Sequence, residues 1–144
     1  MLTIKTEDNY ADAVKEMGLN VNPDAVVMTV RDGSLLMGVG VITFGEGYAE
    51  INDICLKEEF KEFTLEYGLG KSLLNVVDLR GVRYAVSNNK NIEKQLRALK
   101  FKAPGEIENI NEYPEEISSW ELCLNLDGYF LANCCFLSFF QGCL

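Results

Sequence analysis

Three consecutive stretches carry the plainest strand pattern in the chain. Ala25–Arg31 and Leu35–Phe44 are dominated by apolar and β-branched residues, and Tyr48–Leu56 alternates apolar with polar side chains. Asp32-Gly33 and Gly45-Glu46-Gly47 separate them, and short glycine turns of this kind join antiparallel strands. Three hairpin-linked strands make a meander. A briefer alternation over Leu2–Lys5 predicts an edge strand. Between it and the meander, Asp8 is the expected N-cap of a helix over Tyr10–Met17, Gly18 its stop, and Asn20–Asp24 a turn.

After Leu56 the period changes. Phe60 and Phe63 lie three apart within the charged run Lys57–Glu66, which allows one helical turn. Gly68-Leu69-Gly70-Lys71 leads into a helix over Ser72–Leu79, with Leu73, Leu74, Val76 and Val77 as its buried face and Arg80-Gly81 as its end. Val82–Ser87 reads as a strand. Asn88–Asn91 caps a helix over Ile92–Leu99, where Ile92, Leu96 and Leu99 share a stripe. Ile107–Ile110 and Trp120–Leu126 read as further strands on either side of Pro114. The order β, α, three β, α, β, α, β predicts an α/β (mixed, α+β) fold. Its centre is a mixed sheet combining an antiparallel meander with a βαβ crossover, flanked by helices.

A chain of 144 residues, 48% hydrophobic, suits a single domain over 1–144 that needs no disulfide or metal to hold its core. Twenty-two acidic against 13 basic side chains give a charge of −9, which disfavours nucleic acid as a partner. That balance is compatible with an amine-bearing partner, or simply with solubility. Histidine is absent, so any proton transfer falls to carboxylates, tyrosine, cysteine, lysine, water or a chain terminus. Cys55, Cys123, Cys134, Cys135 and Cys143 form no CxxC pair, and no metal site is expected. The N-terminus lacks the basic and apolar regions of a secretory signal, so the expectation is a reducing, cytoplasmic setting. Residues 131–144 form an uncharged apolar tail too short to span a bilayer. It is expected to pack into the core, against a second copy as a homodimer, or into a pocket.

The candidate chemistry sits in mid-chain. A strand ending at Leu56 followed by Gly68-Leu69-Gly70 and a helix is suited to an anion, because glycines let backbone N–H groups converge and the first helical turn leaves N–H donors unpaired. Lys71, with Lys61 or Lys57, can add positive charge. The plain alternative is a tight strand-to-helix turn. A Rossmann dinucleotide site fits poorly, since there is no third spaced glycine and the motif follows a meander.

Leu65-Glu66-Tyr67-Gly68-Leu69-Gly70 resembles the Gln/Arg-x-x-Gly-x-Gly/Ala motif of the GNAT superfamily of acyl-CoA-dependent N-acetyltransferases. Asn89 through Leu96 to Lys100-Phe101 resembles the asparagine, helix and Gly-Phe that follow it there. The resemblance spans Ala25 to Phe101. It departs at Leu65, where the family has Gln or Arg, at Leu96, where many members carry a tyrosine acid, and at Lys100, where glycine is usual. The strand-to-glycine loop is longer than in the family, and the segment before Ala25 is shorter. The resemblance implies acetyl-CoA as cosubstrate, with Ile54, Cys55 and Leu56 splayed away from the next strand to pair with pantetheine. It implies a diphosphate on the N–H groups of Glu66, Tyr67, Gly68, Leu69, Gly70 and Lys71. Asn89 would contact cofactor or cap its helix. Glu50 would be the general base, or else a salt-bridged or solvent-facing strand residue. Asp53, three positions on, is expected on the opposite face from Glu50, and Tyr84 or Cys55 is a candidate proton donor. The implied activity is acyl transfer to an amine; the alternative is a non-catalytic module that binds CoA or a protein partner.

Overall fold

The computed structural model describes residues 1–132, so the expectations for the apolar tail beyond Ala132, the homodimer contact included, lie outside the described residues. Six strands form one sheet in chain order: β1 (Leu2–Thr6), β2 (Val26–Asp32), β3 (Leu35–Phe44), β4 (Tyr48–Leu56), β5 (Tyr84–Ser87) and β6 (Leu122–Asn125). All neighbours are antiparallel except β4 and β5, which are parallel. The expected meander and crossover are both present, and the crossover is α2 (Phe63–Leu79).

α2 covers one face of the sheet. Leu69, Leu73, Leu74 and Val77 are fully buried in the main core with Ile42, Ala49, Ile51, Ile54 and Leu56. Each such leucine contributes about 2 kcal/mol by leaving water. α3 (Glu93–Ala98) packs beside α2 and adds Leu96 and Leu99 to the same core. The opposite face is covered by α1 (Ala11–Glu16), over Val27, Leu36, Val39 and Val41. Tyr10 rather than Asp8 is the N-cap of α1, and no side chain caps it. Gly18, at φ 71, ends the helix as expected.

Two further expectations fail. Residues 107–110 form no strand: the segment runs through 3-10 turns at Pro104–Glu106 and Ile110–Glu112 into α4 (Glu115–Ser118). Its apolar positions serve as a lid instead, with Ile107, Tyr113, Ile117 and Trp120 packing on Tyr48, Tyr84, Val86 and Cys123. The second failure is the start of α2, which precedes the glycines rather than following them.

α3 ends in a Schellman arrangement: the Phe101 N–H donates to the Leu96 carbonyl at 3.1 Å and the Lys100 N–H to the Arg97 carbonyl at 3.0 Å. The residue this motif places in the left-handed region is Lys100, at φ 82, the only non-glycine with positive φ among the described residues.

Candidate functional site

The site begins with one extra residue. β3 and β4 pair in register from Gly38↔Leu56 to Val41↔Asp53, then shift so that Ile42 faces Ile51. Asn52 is left over as a β-bulge. Main-chain direction along β4 follows from the bonds that bracket it. Lys57 N–H donates to the Met37 carbonyl at 2.8 Å, and Gly45 N–H to the Tyr48 carbonyl at 2.9 Å. Because antiparallel pairs alternate between bonded and non-bonded, Ala49 and Ile51 turn their N–H and C=O away from β3 before the bulge, and Ile54 and Leu56 do so after it.

β5 uses only the first part of that edge. Its ladder covers Tyr48↔Tyr84, Ala49↔Ala85 and Glu50↔Val86, and then the strands part. Two side chains just past the ladder clamp the outward carbonyls of β4. Ser87 Oγ donates to the Ile51 carbonyl at 2.8 Å, and Asn89 Nδ2 donates to the Asn52 carbonyl at 2.8 Å. Asn89 Oδ1 also accepts from the Asn91 N–H at 3.0 Å, so this residue caps the 3-10 turn after β5 as well as tying it to the bulge. The next outward donor, the Ile54 N–H, is held by Asp53 Oδ1 at 2.9 Å.

The bulge also resets side-chain parity. Strict alternation would send Glu50 and Asp53 to opposite faces, but the extra residue returns Asp53 to the face that Glu50 occupies. Burial along β4 records the slip, with Ala49, Ile51, Ile54 and Leu56 inward and Glu50, Asn52, Asp53 and Cys55 only part-buried. Glu50 and Asp53 consequently line one cavity of about 260 Å³, with Asn52, Thr43, Val41 and the 19–22 turn as the remaining walls. Burial raises the pKa of both carboxyls above the ordinary range, opposed at Glu50 by the Asn52 amide and at Asp53 by the Ile54 N–H. Thr43 Oγ1 donates to Asn52 Oδ1 at 2.6 Å, which fixes the amide between the two acids. No basic residue lines this cavity among the described residues.

The fold aligns with those of several solved structures. An IAA acetyltransferase from Bacillus cereus aligns with TM-score 0.59 and 16% identity, over 72% of this chain and 78% of that one. A Bacillus subtilis acetyltransferase in complex with CoA aligns with TM-score 0.59 and 16% identity, over 88% and 99%. A GNAT family acetyltransferase from Elizabethkingia anophelis with acetyl-CoA bound aligns with TM-score 0.56 and 14% identity, over 87% and 98%. The chain has the GNAT fold. No protein-family model matches the sequence, and no curated protein matches it either.

Within this GNAT fold the glycine motif stands in an unexpected place. α2 starts at Phe63, so Gly68, Leu69, Gly70 and Lys71 lie inside the helix and are buried. Their N–H groups are committed to carbonyls four residues back, beginning with Glu66 N–H to Glu62 C=O at 3.0 Å. The free donors are those of Phe63, Thr64 and Leu65, in the exposed first turn. The expected diphosphate contacts of Glu66 to Lys71 are corrected accordingly. Gly70 serves helix packing instead. A Cβ there would come within 2.6 Å of Leu99 Cδ1 and 3.3 Å of Ile54 Cδ1, so its absence lets α2 lie close against α3 and β4. Tyr67 is part-buried and packs against the main core, while Glu66 is buried and accepts from Gln95 Nε2 at 3.0 Å.

Lys71 does not face solvent. It is 2% exposed, its ammonium lies 4.2 Å from the Tyr129 ring centroid, and burial, assisted by the charge of Lys100, lowers its pKa to about 8. Lys57 pairs with Glu16 on α1, while two exposed cations stand at the first turn of α2: Lys61, just before it in the chain, and Lys94, whose ammonium lies 5.0 Å from the Phe63 ring centroid. Leu96 is fully buried and brings no hydroxyl to the open edge. Tyr84 is not brought to the cavity: it opens β5 opposite Tyr48, and its ring lies 5.1 Å from that of Tyr113. Cys55 shares the face of Asp53, and burial first, then the charge of Asp53, pushes its thiol pKa up. Asn52, Ser87, Thr43 and the 19–22 turn do not stand out in the sequence. For Asn52 and Ser87 the signal is weak, because each acts through a main-chain irregularity that residue type does not announce.

Proposed function

We propose that this chain is an acyl-CoA-dependent N-acyltransferase acting on a small amine. The observation that carries the reading is the open edge of β4. Beyond the bulge, Ile54 and Leu56 turn donors and acceptors toward a gap that β5 has left, beside a cavity with two unneutralised carboxylates. Extended amide chains add to such edges by main-chain pairing; the two pantetheine amides would pair with Leu56 and the Ile54 carbonyl, which leaves the Ile54 N–H, next to the bulge, to the thioester end. The phosphate end would rest on the first turn of α2, Phe63 to Leu65, with Lys61 beside it, rather than on Glu66 to Lys71. Acyl-CoA, when bound, supplies an activated thioester.

The chain's own contribution is to hold and deprotonate the amine. A protonated amine is drawn to the Glu50 and Asp53 carboxylates, and burial makes Glu50 a stronger base than a solvated glutamate. Glu50 takes the ammonium proton, and the Thr43–Asn52 bond keeps the adjoining amide in place. The neighbours that bind CoA or acetyl-CoA lend support by fold alone.

Calorimetry with CoA and acetyl-CoA, followed by CoA release against a panel of amines, tests the reading. With an accepted amine, kcat/KM should rise with pH through a carboxyl titration above 4.5, the ordinary glutamate value. Glu50→Gln should lower kcat by about 10²–10⁴-fold and erase that limb. Absence of CoA binding at millimolar concentration would refute it. A non-catalytic module is favoured by one specific observation, the enclosure of the Gly68–Lys71 amides within α2; it predicts CoA binding without release, or a protein ligand alone.

A further inference from the structure

Of the main-chain groups that β4 turns to the gap, three beside the bulge are satisfied from side chains. The Ile51 and Asn52 carbonyls are held by Ser87 and Asn89, residues at and beyond the end of β5, so those bonds tie two strands together. The third bond is of a different kind. Asp53 Oδ1 takes the Ile54 N–H of the next residue in its own strand, so no second element is fastened by it. Asp53 also lines the open cavity, whereas Ser87 is buried. Rotation of one side chain, from the edge into the cavity, would release the donor without disturbing the sheet.

We infer, on the acyltransferase reading above, that Asp53 is a positioning residue that guards the acyl subsite. Its carboxylate caps the Ile54 N–H while the edge is empty and cedes that donor to the carbonyl oxygen of the acyl thioester. Ile54 is 3% exposed, and a buried N–H with no acceptor is costly, so the cap keeps the edge satisfied between turnovers. An ionised acceptor gives way to a neutral one only if it finds compensation elsewhere. The cavity provides that as water or as the ammonium of an acceptor amine, with the Asn52 amide alongside. Release of the cap thereby couples the two halves of the site: the carboxylate arrives in the amine cavity when the acyl group arrives at the edge.

The charged groups around Asp53 are few. Glu50 and Cys55 share its strand and face. The 19–22 turn and the β3 residues Val41 and Thr43 contribute none, and Lys61 and Glu66 approach from the side of Cys55.

The test has a ligand-free arm and a ligand arm. In the unliganded protein, the NMR amide shift of Ile54 should follow a single carboxyl titration in wild type, persist in Glu50→Gln and vanish in Asp53→Ala. If the Ile54 amide does not respond to Asp53, the cap does not exist and the proposal falls. In calorimetry, acetyl-CoA and CoA share every group except the acyl carbonyl. Asp53→Ala should tighten acetyl-CoA by about tenfold while changing CoA by less than about twofold. Asp53→Asn keeps an acceptor oxygen and should lie between. Equal tightening of both ligands would mean that Asp53 only repels a polyanion, which overturns the proposal. A proven cap with no binding of either ligand would overturn the acyltransferase reading and, with it, the assignment of the cap to an acyl group.

Discussion

Gly70→Val tests which of two roles the helix glycine plays. The backbone there has ordinary helical φ, so the side chain itself makes the difference. A Cβ would sit 2.6 Å from Leu99 Cδ1 and 3.3 Å from Ile54 Cδ1, and both residues are almost fully buried, at 1% and 3% exposed. Leu99 has no vacant space to enter, since it packs with Leu96, Phe101 and Ile54 in the main core. Overpacking of this kind costs about 2–3 kcal/mol, against a gain of a few tenths from replacing glycine within a helix. The net expectation is a loss of about 2 kcal/mol, a fall in Tm of several degrees for a domain of this size. Urea unfolding followed by circular dichroism should show a lower midpoint at unchanged slope. The refolded variant below its midpoint should bind CoA as wild type does. An unchanged midpoint with CoA binding abolished would refute the reasoning, because it would mean that α2 begins later and that Gly70 lies in an anion loop.

Lys100→Gly should raise stability by about 0.5–1 kcal/mol in the same urea assay, since the left-handed C′ position after α3 penalises a side chain by more than glycine loses in unfolded-state entropy. Lys71 has a folded pKa of about 8 against 10.5 when solvated. Between these values the unfolded chain binds more protons, so this group's contribution to stability rises with pH across that window. Unfolding free energies at pH 7.5 and 9.5 should therefore differ less favourably for Lys71→Met than for wild type, and an identical pH slope would contradict the buried placement.

The meander, the crossover and the core stripes were legible because each rests on a local period. Leu73, Leu74 and Val77 are buried as the 3.6-residue pattern requires, and the Asp32-Gly33 turn joins β2 to β3. The start of α2 was not legible, because two glycines so close together favour a loop by propensity. What overrides that preference is tertiary: Gly70 is needed where two elements touch, and a helix can supply the close approach without a bend. Ile107–Ile110 misled for a related reason, since its apolar residues are spaced for covering the sheet rather than for joining it. Of the candidate site, Glu50, Asp53, Cys55 and Asn89 do gather near the open edge, whereas Tyr84 and Lys71 do not.

The parity of β4 shows most clearly where sequence reasoning stops. Nothing in Ile51-Asn52-Asp53-Ile54 announces an irregularity, because Asn and Asp suit an edge or a turn equally well. One residue without a partner then has three consequences at once. It puts Glu50 and Asp53 in the same cavity, it turns the Ile54 N–H outward beyond the reach of β5, and it places Asn52 where Asn89 can tie the strands together at their point of divergence. These features depend on a single register shift, so they should be lost together. Insertion of one residue between Val41 and Ile42 would give Asn52 a partner and restore strict alternation along β4, sending Asp53 into the core beneath α2 and its charge to a dry environment, at a cost of several kcal/mol. A variant that instead folded with unchanged stability would show that the bulge is incidental, and that the two carboxylates meet for some other reason.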